Sequence, residues 1–213
     1  MKKILLIGDS IRMGYDKYVK EALANVAEVY YPEENCRFSA YVLRCAHVWK
    51  KNLELGDDID LVHWNAGLWD VIELFGDEPL STVDYYENAI GRIHNRLRML
   101  FPKAKIIFAT STAVIEGIAK EHVRHNAIIE KYNLTAVKAL KDKDCEINDL
   151  YALTSKLPDS YHSDATHYYT PEATELIGGR VLAHICKALD IKASEVKIEN
   201  FEPEKYTDEN IGF

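Results

Sequence analysis

Two short motifs at opposite ends of the sequence carry residue types capable of acyl-transfer chemistry. Near the start, Gly8-Asp9-Ser10 follows the apolar run Ile4-Leu5-Leu6-Ile7. A buried strand that ends in Gly-Asp-Ser and turns directly into a helix delivers the Ser10 hydroxyl to the carboxyl edge of a sheet. There a helix N-terminus and free backbone N–H groups can stabilise a developing oxyanion. Far down the chain, Asp164-Ala165-Thr166-His167 precedes Tyr168-Tyr169-Thr170-Pro171-Glu172. Together the motifs supply a nucleophile (Ser10), a base (His167) and an acid that can fix the imidazole tautomer (Asp164). Asp9 is suited to shaping the turn through side-chain hydrogen bonds, and a plain helix cap at Asp9 or Ser10 is the competing reading.

Other polar and aromatic residues are candidates for substrate contacts. Arg12, two residues past Ser10, is expected near a pocket rim, where it could hold a carboxylate or a sugar hydroxyl or form a surface ion pair. Arg37 and Trp69 are the other candidates, and Tyr168 and Tyr169 could stack on a sugar face or pack in the core. Arg124, Asn126 and Asn133 lie on or before one helix, and the sequence does not decide which of them reaches the site. Of the eight histidines, the closest sets are His122 with His125 and His162 with His167, and neither has a cluster of ligands at zinc spacing. No metal and no cofactor are expected.

Positioning these residues requires alternating strands and helices. Apolar runs predict strands over residues 3–7, 27–31, 59–64 and 105–109, with a short fifth at 145–148. Helical periodicity predicts helices over 14–26, 39–55, 81–100 and 116–141, with Ser81 or Thr82 capping the third and Thr170-Pro171-Glu172 opening the last. Continuously apolar strands, each followed by a helix, indicate a parallel sheet covered on both faces. The expected fold is therefore a three-layer α/β/α sandwich of the doubly wound kind with a five-stranded parallel sheet. Ser10, Asn65 and Thr110 then fall just past strand ends, and His167 sits in the loop feeding the final helix.

The 213 residues, 47% of them hydrophobic, suit one such domain, expected over residues 1–193. Residues 194–213 carry six acidic and two basic side chains and read as an acidic tail lying on the domain or on a partner. A net charge of −8 argues against nucleic acid or an anionic membrane as partner. The first apolar segment is shorter than the ~7–15 residues of a signal-peptide core, and no stretch approaches the ~20 of a membrane span. With cysteines 36, 45, 145 and 186 scattered without CxxC spacing, a cytoplasmic location with reduced thiols is expected.

From Gly8-Asp9-Ser10 to Asp164-x-x-His167 the chain resembles the SGNH (GDSL-type) hydrolases, serine esterases and lipases on a flavodoxin-like sandwich. The resemblance implies Ser10 as nucleophile, His167 as base and Asp164 as its partner. It also implies an oxyanion hole made with the Ser10 N–H, a glycine after the second strand and a Gly-x-Asn-Asp segment after the third. Two departures stand out. The second block reads Glu34-Asn35-Cys36-Arg37, with no glycine, so a backbone N–H near Cys36 would have to serve. The third reads Asn65-Ala66-Gly67-Leu68-Trp69-Asp70. Aligning on the strand end offers the Asn65 amide, the favoured donor; aligning on Gly67 and Asp70 puts the Trp69 indole there instead, with Asp70 bracing the loop. Asp9, Arg12, Arg37, Gly67 and Trp69 are the residues expected to face substrate. The implied activity is hydrolysis of small acyl esters, acetyl above all, of a carbohydrate or polar metabolite. A thioesterase or acyltransferase would use the same triad, and a catalytically silent sandwich binding a polar ligand is the reading from a different class.

Overall fold

Runs of β-branched and long apolar side chains form the strands at the centre of the protein. The computed structural model describes residues 1–197. Its strands are β1 (Lys2–Ile7), β2 (Ala27–Tyr30), β3 (Leu61–Trp64), β4 (Glu73–Leu74), β5 (Lys105–Ala109), β6 (His122–Val123) and β7 (Glu146–Asn148). Five of them make one parallel sheet in the order β2-β1-β3-β5-β7. The helices are α1 (Ser10–Leu23), α2 (Ser39–Asn52), α3 (Val83–Leu100), α4 (Asn126–Leu140), α5 (Leu150–Thr154) and α6 (Pro171–Leu189).

The chain steps one way from β1 to β2 and the other way from β1 through β3, β5 and β7. With right-handed crossovers, that reversal sends helices to opposite faces. Accordingly α1 packs on α6, while α2, α3 and α4 pack in a row. Ile4, Leu5, Leu6 and Ile7 of β1 and Leu61, Val62 and Trp64 of β3 are buried, as strands covered on both faces require. The reversal between β1 and β3 opens a crevice beyond their carboxyl ends, where ligands bind in such sheets. The expected fold class holds.

Element boundaries differ in instructive places. The first helix begins at Ser10 and not at residue 14, because Asp9 caps it directly, its Oδ1 accepting the Ile11 N–H at 3.0 Å. The third long helix is capped by Thr82, as expected, and α6 by Thr170, with Pro171 at its start. The largest difference lies at 116–125, expected as helix. Gly117 turns with φ 81°, and β6 pairs antiparallel with β4 in a small separate sheet. The helix starts only at Asn126, whose N–H is accepted by Glu116 Oε1 at 2.6 Å. The carboxylate thus closes a helix start ten residues away, a contact invisible to local periodicity.

At the expected domain end, the Ser194 N–H donates to the Ala22 carbonyl at 2.7 Å and Val196 is buried. The remainder of the acidic tail lies outside the described residues. Among the described residues no helix is long and apolar enough to cross a membrane.

Candidate active site

The turn from β1 into α1 sets Ser10 at the first helical position, where its N–H has no intrahelical acceptor and the helix dipole is positive. On the opposite side of the crevice, the loop before α6 folds around Asp164. Its Oδ1 accepts the N–H groups of Thr166 at 2.6 Å and His167 at 2.8 Å, and its Oδ2 lies 2.6 Å from His167 Nδ1. His167 Nε2 lies 2.8 Å from Ser10 Oγ. Residues 157 positions apart are thereby joined in one chain of contacts from carboxylate to hydroxyl. Burial pushes the Asp164 carboxyl up, but the hydrogen bond and charge of His167 and the two backbone N–H groups outweigh it, leaving it at about 2. An ionised Asp164 keeps the ring proton on Nδ1 and turns the Nε2 lone pair to Ser10.

Tyr169 ties the two halves together. Its ring stacks on His167 at 4.8 Å between centroids, and its hydroxyl donates to the Ser10 carbonyl at 2.7 Å. The sequence marks Tyr169 only as a stacking or core residue; its bond to the Ser10 backbone has no local signal.

The residues expected on the oxyanion side are placed differently. Cys36 is fully buried, and its N–H donates to the Gly8 carbonyl at 3.1 Å, so that donor is committed to holding the loop against β1. Burial also pushes its thiol up to about 12. The left-handed backbone that a glycine adopts without strain is carried one residue later, by Arg37 at φ 51°, whose N–H donates to Asn35 Oδ1 at 2.9 Å. The Arg37 guanidinium lies over the Tyr41 ring, 5.3 Å from its centroid.

Asn65 is 4% exposed and points inward. It lies so close to Gly8 that a Cβ there would come within 2.0 Å of its Oδ1. Its amide supports Asp9, whose carboxyl is raised by burial and pulled back by Asn65 and by the Ile11 N–H. The expectation that Asn65 faces the reacting carbonyl is therefore corrected to a bracing role. Asp9 is likewise no substrate contact: it is fully buried as the α1 cap.

Gly67 adopts φ 152°, and a Cβ there would meet Ser111 Oγ at 2.3 Å, so Gly67 fills a tight corner and does not line open space. Asp70, also fully buried, accepts the Ser39 N–H at 2.9 Å, the Ser39 hydroxyl at 2.5 Å and the Ser81 hydroxyl at 2.7 Å. Burial raises its carboxyl to about 6 against those three donors. These constraints favour the register on Gly67 and Asp70, with the partly exposed Trp69 between them.

Arg12 does not reach a rim. It is 1% exposed, pairs with buried Asp16, and donates through Nη2 to the Glu34 carbonyl at 2.7 Å. A guanidinium buried this deeply is retained where a carboxylate and carbonyls satisfy it. Of the three polar residues left open on the fourth crossover, Asn133 bonds the Ser111 backbone and Asn126 the Val114 backbone. Arg124 reaches the site's periphery. Its Nε donates to the Leu68 carbonyl at 2.7 Å and Nη1 to Thr166 Oγ1 at 3.3 Å, bridging the Trp69 loop and the His167 loop. Among the described residues no group of three or more His, Cys, Asp or Glu stands where it could hold a metal ion.

No protein-family model matches the sequence, and no curated protein matches it significantly. Solved structures do share its architecture. A lipase/acylhydrolase from Enterococcus faecalis superposes with a TM-score of 0.71 at 19% identity, over 92% of this chain and all of its own. An acetyl xylan esterase, AlAXEase, gives 0.68 at 16% identity over 86% and 99% of the two chains. A carbohydrate esterase family 3 protein from Talaromyces cellulolyticus gives 0.62 at 16% identity over 90% and 100%. A GDSL-like lipase from Parabacteroides merdae and an SGNH hydrolase from Slackia heliotrinireducens also match. At such identities the likeness speaks for the backbone, and on that ground the chain has the three-layer fold of the SGNH and GDSL-type hydrolases.

Proposed function

We propose that the protein is a serine esterase of the SGNH type that removes small acyl groups, acetyl foremost, from a carbohydrate or similarly polar alcohol. The observation that carries this reading is the unbroken chain Asp164–His167–Ser10, with contacts of 2.6 and 2.8 Å. His167 takes the Ser10 proton as Oγ attacks the ester carbonyl, and returns it to the leaving alcohol as the tetrahedral intermediate collapses. Water, activated by the same imidazole, then releases the acyl group from Ser10. Asp164 holds the ring in the required tautomer and stabilises the imidazolium that forms.

The oxyanion needs donors preorganised around it. We assign the Ser10 N–H as one and the Trp69 indole N–H as a second. The support for Trp69 is the register set by Gly67 and Asp70; the Asn65 amide and the Cys36 N–H, expected as donors, are committed elsewhere. Those commitments also favour the competing reading, a silent sandwich that binds a polar ligand. A fluorophosphonate ester separates the two. One equivalent of adduct on Ser10, with loss of aryl acetate hydrolysis, supports the esterase. A protein that remains unlabelled across the pH range where it is folded, and hydrolyses no ester, refutes it.

A further inference from the structure

The position of Arg124 bears on which esters such a site would accept, and the inference rests on the esterase reading above. Arg124 is 8% exposed, yet among the described residues no carboxylate comes within ion-pair distance of it. Burial lowers its guanidinium to about 10, with the charges of Asp9 and Asp164 acting in the opposite sense. A buried cation is costly unless paired, and two neutral acceptors, the Leu68 carbonyl and Thr166 Oγ1, leave most of its five N–H donors unused. Neither nearby acid bonds it directly: Asp164 hydrogen-bonds His167, and Asp9 accepts from the Ile11 N–H.

Arg124 is among the residues lining a small niche with His122, Gly117, Ala165 and Thr166, the last of which precedes His167 in sequence. Its anchor points adjoin the residues assigned to the reaction, Leu68 before Trp69 and Thr166 before His167. With Nε held by Leu68 and one Nη1 N–H by Thr166, an incoming anion would meet the Nη1/Nη2 end of the guanidinium, which can bind a carboxylate through two parallel hydrogen bonds. We propose that Arg124 reads a carboxylate on the substrate, so that the preferred esters are acylated acids, such as an acetylated sugar acid, over their neutral counterparts.

The test compares acetylated glucuronate with acetylated glucose by titrating released acetic acid. Wild type should favour the acidic ester in kcat/KM by about tenfold or more, the range of a charge-assisted hydrogen-bond pair. Arg124→Gln should erase that preference, read as the ratio of the two kcat/KM values so that any loss common to both esters cancels, and Arg124→Lys should retain part of it. Equal rates for both esters in wild type would overturn the proposal. So would a uniform loss in Arg124→Gln, which would make the residue a brace between loops. If wild type cleaves neither ester, the esterase reading fails first, and calorimetry with glucuronate on Ser10→Ala decides the subsite. Binding that Arg124→Gln abolishes upholds it, and absence of binding overturns it.

Discussion

The two sides of the crevice are built on different principles. On the His167 side, every bond that shapes Asp164 comes from within three residues of it, so a short loop assembles its own carboxylate–imidazole pair. On the Trp69 side, the shaping contacts span long sequence distances: Cys36 to Gly8, Ser39 and Ser81 to Asp70, Arg12 to Glu34. The first design fixes Asp164 and His167 relative to each other within one loop, which longer contacts from Ile115 and Arg124 then hold in place. The second makes the donors around the carbonyl hostage to the packing of three loops. Relay and hole should therefore fail in different ways when perturbed.

The largest effect should come from the relay. Ser10→Ala or His167→Ala should lower kcat for an aryl acetate by about 10³-fold or more, with the melting temperature nearly unchanged. Retained activity in Ser10→Ala would remove the contrast altogether. On the other side, Arg12→Ala should cost about 3–5 kcal/mol of stability in a denaturant titration, because Asp16 is left buried and unpaired. A loss under 1 kcal/mol would show that the loop holds without this clamp. Trp69→Phe keeps the ring and removes the N–H, and should lower kcat by about 10²-fold at similar stability if the indole faces the oxyanion. An unchanged kcat would return the role to another donor.

Asp70 offers a pH handle on the same side. Its folded pKa of about 6 lies above the ordinary 3.8, so the folded state holds this proton more tightly than the unfolded chain. That contribution to stability is fully present below the unfolded value and is lost as pH rises through about 6. Asp70→Asn should flatten this part of the stability profile, and an unaltered slope between those limits would count against it. Tyr169→Phe should have the smallest effect, about 1 kcal/mol, from one lost hydrogen bond to the Ser10 carbonyl.

The same division governs how much could be read in the amino-acid order. Strands 105–109 and 3–7 were legible because buried parallel strands are continuous apolar runs. The convergence of Ser10, Asp164 and His167 is legible because their motifs are local and the topology carries strand ends to one edge. Arg12 was misplaced because burial of a charge depends on a partner, here Asp16, and on the distant Glu34 carbonyl. Cys36 and Asn65 read as oxyanion donors because the sequence does not show where a backbone N–H or an amide already points. The segment 116–125 reads as helix until β4 offers it a strand partner and Glu116 closes the true start at Asn126. Arg124 remained undecided for the same reason, since its bridge needs both loops in place.

Tyr169 has a mechanical consequence. The loop bearing His167 and the helix bearing Ser10 are separate elements, and independent motion of the two would blur the 2.8 Å gap between Nε2 and Oγ. A phenol lying flat on one and bolted to the backbone of the other makes them drift in unison, so crowding by a bulky substrate would displace the pair together and spare the alignment between them.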